Sequence, residues 1–138
     1  MMRLRTSKKK PTISEKNNVE RIMNNDQKES KIRSFMYLNV WKEGHKLVIL
    51  IYKITKTFPK AETYSLINQM RRAAASVTAN IAEGFTRQSY KEKVQYYYQA
   101  KGSLVELKNF ILIANDVGYL KADEFKQLME QTTTVDQL

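Results

Sequence analysis

The sequence predicts an all-α protein, an antiparallel up-down four-helix bundle with a disordered basic N-terminal tail. Apolar residues recur at helical spacing from Met36 onward, and no segment shows the alternation typical of a strand. The chain of 138 residues has only 4 Gly and 2 Pro, too few for a loop-rich all-β fold. Short linkers make successive helices antiparallel neighbours. We expect residues 1–34 to be a disordered or loosely helical basic tail and residues 35–138 to be the bundle.

The first helix of the bundle is expected to begin near Met36. A proline disfavours helical geometry in the residue before it, so Thr57, Phe58 and Pro59 should end this helix. Seven residues are spaced to form one wide apolar face: Val40, Trp41, Leu47, Val48, Ile51, Tyr52 and Ile54.

The second helix is expected from Ala61 to Ala82 or Glu83, because this stretch is rich in alanine, the best helix former. Gly84 would follow as a C-terminal cap, since glycine tolerates the left-handed conformation that often closes a helix. Its apolar line is Leu66, Met70, Ala73, Val77 and Ile81.

The third helix has the clearest start signal, and a fourth, shorter helix follows it. Ser89 and Glu92 match a capping box, which predicts the start of the third helix. Tyr97, Leu104 and Ile111 repeat every seven residues along it, and residues 115–118 contain its stop signal. The fourth helix is expected over about 122–132 and carries Phe125, Leu128 and Met129.

Positive charge is the main functional signal. The formal net charge is +10, of which residues 1–34 carry +6 and the bundle +4. A basic chain of this size suits a polyanion, most often nucleic acid, although +4 on the bundle is also compatible with simple solubility. Two sets of basic residues are candidate phosphate contacts, with a solvated charged turn as the alternative for the second. They are Arg3, Arg5, Lys8, Lys9 and Lys10 in the tail, and Arg87, Lys91 and Lys93 near the third helix.

Two polar stripes accompany the apolar faces of the second and third helices. Antiparallel pairing about a turn at residues 86–89 would bring Arg72 near Ser103 and Gln69 near Glu106. An ion pair between Glu106 and Arg71 or Arg72 follows as a hypothesis. We favour a structural or subunit-interface role over ligand binding. The stripes are Gln69, Arg72, Ser76, Asn80 and Glu83, and Gln95, Gln99, Gly102, Glu106 and Asn109.

Several classes of function are disfavoured by the composition. With no Cys and 1 His, a disulfide, a thiolate or multi-histidine metal site and a cysteine nucleophile are excluded. Isolated acids such as Glu83 do not form a reaction centre, so we expect the protein to have no enzymatic activity, no cofactor and no small-molecule substrate. The longest apolar run, residues 47–52, is far short of a bilayer span, and residues 1–34 do not read as a secretory signal. We therefore expect a cytoplasmic protein without a membrane partner.

Four segments resemble a known family. Residues 39–42, 51–59, 100–107 and above all 69–85 are similar to the bacterial four-helix-bundle family, also called the 23S rRNA-intervening sequence protein family. The resemblance spans about residues 36–130 and leaves the tail outside. Its motif positions, to which the resemblance gives a structural or interface role, are Gln69, Arg71, Arg72, Ser76, Asn80, Glu83, Gly84, Gly102, Ser103 and Glu106.

The resemblance implies a helical bundle that assembles with itself, with a pentamer as the expected ring, and it brings no catalytic residues. A similar protein is the accessory factor of diversity-generating retroelements, which binds RNA and a reverse transcriptase. Five copies of a bundle carrying +4 would give about +20, a field that steers polyanions. The expected function is therefore binding of RNA or other nucleic acid. The alternative is a scaffold or accessory subunit, for example of a reverse transcriptase, without direct nucleic-acid contact.

Overall fold

The computed structural model describes residues 10–28 and 34–138, and this part of the chain is all helical, as predicted, with no strand. Short helical turns at Phe35–Tyr37, Lys60–Glu62 and Thr63–Ile67 lie between the longer helices. The α-helices are α1 (Ile13–Lys28), α2 (Asn39–Thr55), α3 (Asn68–Thr86), α4 (Tyr90–Asp116) and α5 (Ala122–Gln137).

Helices α2 to α5 enclose one hydrophobic core. α2 packs against α3 and α5, α3 packs most extensively against α4, and α4 closes the arrangement against α5. Most residues of the apolar lines predicted for these helices are buried or half-buried, because residues that recur every three or four positions share one helix face, whereas Tyr52 of the predicted face is exposed. The most deeply buried side chains include Leu47, Ile51, Met70, Val77, Ile81, Tyr97, Leu107, Ile111 and Leu128.

The first helix, α1, lies within residues 1–34, for which a disordered or loosely helical tail was predicted. Thr12 and Glu15 form a reciprocal capping box, with hydrogen bonds of 2.8 and 3.1 Å between side chains and backbone amides. Val19 and Ile22 are buried in the core, so α1 is attached to the bundle by apolar contact. The rest of the predicted tail, residues 1–9 and 29–33, lies outside the described residues.

Gly84 does not cap α3, in contrast to the sequence prediction. The helix continues through it to Thr86, and Gly84 is buried within the helix. A Cβ at this position would lie 2.9 Å from Cε1 of Tyr97, closer than packed carbon atoms approach. Gly84 therefore allows α4 to approach α3 closely, and Arg87 in extended conformation ends the helix.

The remaining boundaries follow local sequence signals. α2 ends just before Pro59, as predicted. The Ser89 side chain accepts a hydrogen bond of 3.2 Å from the Glu92 amide and caps α4. Gly118, with φ +85°, permits the left-handed turn after α4. α5 extends beyond the predicted end at Thr132, since Val135 continues its buried face.

Candidate nucleic-acid interface

The polar stripes of α3 and α4 meet at a pair of serines. The Ser76 and Ser103 hydroxyl oxygens lie 2.7 Å apart, and Asn80 Nδ2 donates to the Ser76 carbonyl at 2.9 Å. The contact lies one helical turn from the predicted pairing of Arg72 with Ser103. These contacts join α3 to α4 in one register.

The predicted ion pair of Glu106 with Arg71 or Arg72 is not formed. Arg71 lies toward α2, where its Nε donates to Thr55 Oγ1 at 3.0 Å. Its guanidinium carbon lies 4.6 Å from the centre of the Tyr52 ring. The prediction failed because Arg71 and Arg72 are about 100° apart on the helix, and Arg71 lies on the side of α2 rather than α4.

The outer face of α3 and α4 is lined by small and polar side chains. Ala75, Ala79 and Gly102 are exposed, and a Cβ at Gly102 would meet no atom within 4 Å. Among the described residues, Gly102 therefore has no close neighbour that would require the absence of a side chain. The motif residues Gln69, Arg72, Glu83 and Glu106 are also exposed.

Two of the three candidate phosphate contacts near the turn between α3 and α4 form hydrogen bonds within the protein. Arg87 Nη2 donates to Glu83 Oε2 at 3.1 Å and to the Tyr96 hydroxyl at 2.9 Å. Lys93 Nζ donates to the carbonyl oxygens of Gly84 and Phe85 at 3.2 and 3.0 Å, where it stabilises the end of α3. Lys91 is exposed on the first turn of α4.

The tail candidates can be placed only in part. Lys10 is exposed just before α1. Arg3, Arg5, Lys8 and Lys9 lie outside the described residues.

A row of lysines on α2 and at its C-terminal cap was not among the sequence predictions. Lys42, Lys46, Lys53 and Lys56 are all exposed. Their spacings of 4, 7 and 3 residues bring them to one side of the helix. This spacing is present in the sequence, but the predictions for this helix rested on its apolar face. We call these four residues the α2 lysine row.

The Glu43 carboxylate lies beside the α2 lysine row and is held by hydrogen bonds from neighbouring side chains. Gln131 Nε2 donates to Glu43 Oε2 at 2.8 Å and to its carbonyl oxygen at 2.9 Å. Lys46 Nζ lies 3.2 Å from Glu43 Oε1. The Gln131 hydrogen bond, followed by that of Lys46, lowers the pKa of the Glu43 carboxyl. The carboxylate thus joins α2 to α5.

The described residues hold no constellation that suggests metal or membrane chemistry. Within residues 10–28 and 34–138, no group of three or more metal-ligating side chains occurs. No helix of this part of the chain is both long enough and apolar enough to cross a membrane.

Comparison with known proteins places the bundle in a family. No curated protein matches the chain at significant similarity. The model of the family described as 23S rRNA-intervening sequence protein matches residues 36–138. The match covers three-quarters of the chain, includes α2 to α5 and leaves α1 outside it. The chain therefore belongs to the 23S rRNA-intervening sequence protein family.

Proposed function

We propose that this protein is a non-enzymatic, homo-oligomeric helical protein of the cytoplasm that binds nucleic acid, with RNA as its principal ligand. The α2 lysine row is the observation that supports this proposal. Four exposed ammonium groups lie on one side of a helix, and Glu43 beside them is held by Gln131. Such a row attracts phosphates without reading sequence, so binding should be mainly electrostatic.

The finer architecture belongs to this proposal. The contacts of α2 with α3, α3 with α4, α4 with α5 and α5 with α2 support an antiparallel up-down four-helix bundle. The bundle would be the unit that assembles, with α1 added to its outside.

Assembly would use the outer face of α3 and α4. An exposed glycine within a helix costs about 1 kcal/mol relative to alanine. Among the described residues, no atom lies within 4 Å of the place that a Cβ of residue 102 would occupy, so nothing there requires glycine. Contact with a second copy would explain it, since Ala75, Ala79 and Gly102 permit close approach of another helix. A ring, for which we propose a pentamer, would multiply the charge of each α2 lysine row.

Light scattering of the full chain across a salt series, with and without nuclease treatment, tests the proposal. We expect a discrete multimer that takes up RNA at low salt and releases it at high salt. Gly102→Leu should reduce the mass to a smaller species, whereas Thr133→Leu, at an exposed position of α5, should leave it unchanged. A wild-type multimer that binds no RNA at low salt would contradict the nucleic-acid function and favour a protein scaffold. A wild-type monomer would contradict the assembly.

A further inference from the structure

A groove between α2 and α5 runs beside the α2 lysine row. Its volume is about 420 Å³, and it is open to solvent. It is lined by His45, Lys46, Ile49 and Lys53 from α2 and by Gln127 and Gln131 from α5, and no lining residue is acidic. The groove thus combines cations, amides and apolar surface.

The α2 wall of the groove can follow a phosphate backbone. Lys46 and Lys53 are separated by two helical turns, about 10 Å along the axis. The Lys46 side chain remains 66% exposed although it contacts Glu43, so its ammonium group is accessible to a ligand. Lys42 and Lys56 extend the row beyond both ends of the groove. A strand lying along α2 would therefore meet several positive charges.

The α5 wall offers groups that bind base edges. Both amide hydrogens of Gln131 are directed to Glu43, at 2.9 and 2.8 Å, which leaves its Oε1 as an acceptor. The Gln127 side chain makes no hydrogen bond within the described part of the chain. Amide side chains pair with the amino and ring-nitrogen groups of bases.

Apolar surface lies between the two polar walls. Ile49 is 54% exposed on α2 and borders the groove between Lys46 and Lys53. An unpaired base can cover such a side chain, whereas a duplex keeps its bases stacked inside and presents phosphates to a protein. The groove therefore suits a single strand better than a duplex.

We propose that the α2–α5 groove binds a single-stranded segment of nucleic acid, with phosphates on Lys46 and Lys53 and base edges on Gln127 and Gln131. This inference rests on the proposed nucleic-acid function and specifies its site. Phosphate contacts supply affinity, and the amides supply a preference for strands that carry bases. The Glu43 carboxylate lowers the affinity for the strand because it competes with the phosphates for Lys46.

Fluorescence anisotropy of the full chain with a labelled single-stranded RNA of about 20 nucleotides tests the site across salt concentrations. Lys46→Ala with Lys53→Ala should reduce the slope of log K against log salt by about 1.4, because each single-strand phosphate contact contributes about 0.7. Binding at about 0.1 M salt should weaken roughly twentyfold. The matched control, Lys16→Ala with Lys126→Ala, removes two exposed lysines outside the groove and should lose far less.

Two single variants separate the roles of the walls. Gln127→Ala should reduce the preference for the normal strand over an abasic strand about fivefold and leave the salt slope unchanged. Glu43→Gln should strengthen binding, since it frees Lys46 and removes a negative charge. A duplex of equal length should bind more weakly than the single strand.

The outcomes distinguish the site from the function. If the wild type binds no RNA at low salt, the proposed function fails and the groove with it. If the wild type binds but the groove pair and the control pair lose affinity equally, the groove is wrong and the function stands. Equal binding of duplex and single strand, together with no effect of Gln127→Ala, would overturn the single-strand assignment.

Discussion

Ser76 and Ser103 share a hydrogen bond of 2.7 Å across the interface of α3 and α4. Asn80 Nδ2 also donates to the Ser76 hydroxyl oxygen at 3.1 Å, so Ser76 connects a turn of its own helix to the neighbouring helix. Both serines are only partly exposed. Because small side chains on both helices meet here, the contact defines one register between α3 and α4.

Removal of either hydroxyl should destabilise the fold. Ser76→Ala and Ser103→Ala should each reduce the free energy of unfolding by about 1 kcal/mol, since each removes the hydrogen bond between the two hydroxyls. The double variant should cost less than the two single variants combined, because they remove one shared interaction. Urea denaturation followed by circular dichroism measures all three. Additive costs would indicate that the two hydroxyls act independently.

The core of the bundle could be predicted from the sequence because helical periodicity is local. Met70, Val77, Tyr97, Leu104 and Ile111 were expected inside and are buried. The pairing of α3 with α4 was predicted one turn away from the observed contact. Register depends on the shape of the turn at residues 87–89 and on the close approach at Gly84, which periodicity does not contain.

Helix α1 and the hydrogen bonds of the turn between α3 and α4 were harder to predict from the sequence. The sequence predicted only a disordered or loosely helical segment where α1 lies, because Val19 and Ile22 are its only buried side chains among those described, and two apolar residues make a weak pattern. The capping box of Thr12 and Glu15 was an available signal. Arg87 and Lys93 were candidates by charge alone, yet both make internal hydrogen bonds that depend on the three-dimensional turn.

Gly84 should not tolerate a methyl group. In an open helix, Gly→Ala stabilises by about 1 kcal/mol. At this site the new Cβ would lie 2.9 Å from Tyr97 Cε1 and 3.2 Å from Tyr96 Cβ, and Tyr97 is only 1% exposed. We expect Gly84→Ala to lower the free energy of unfolding by about 1–3 kcal/mol, as in overpacked cores. An increase in stability in urea denaturation would contradict the close approach of α4.

The Glu43 carboxylate should make the fold sensitive to acid. Its pKa is lowered in the folded protein by Gln131 and then by Lys46, below the ordinary value of 4.5. The ionised form therefore stabilises the fold at pH above about 4.5, and this contribution is lost as pH falls through the folded pKa. Glu43→Gln should lose less stability than the wild type as the pH falls below about 4.5.

Urea denaturation at several pH values measures the Glu43 contribution. Glu130→Gln is the matched control, because Glu130 is an exposed carboxylate on α5. This control should retain the acid sensitivity of the wild type. Equal acid sensitivity of Glu43→Gln and the wild type would show that the bonds to Gln131 and Lys46 do not favour the carboxylate.

Docking of α1 should be visible in the titration of Tyr98. Burial raises the pKa of the Tyr98 phenol above 10.0, and the negative charges of Glu15 and Glu20 on α1 add to this effect. Val19 is 2% exposed, so Val19→Asp would place a carboxylate in apolar surroundings. Loss of the valine contact costs about 1.5–3 kcal/mol, and the charge adds to that cost. We expect α1 to detach while α2 to α5 remain folded.

The pKa of Tyr98 should then fall toward its ordinary value. NMR of ring-labelled tyrosine measures it residue by residue, and Asn17→Ala, at an exposed position of α1, is the control that should keep the raised pKa. In the wild type, the raised pKa means that the fold favours the neutral phenol of Tyr98 over the ionised one. Its contribution to stability is present below about pH 10 and is lost as pH rises through the folded pKa. A Tyr98 pKa that stays raised in Val19→Asp would mean that the phenol is buried without the help of α1.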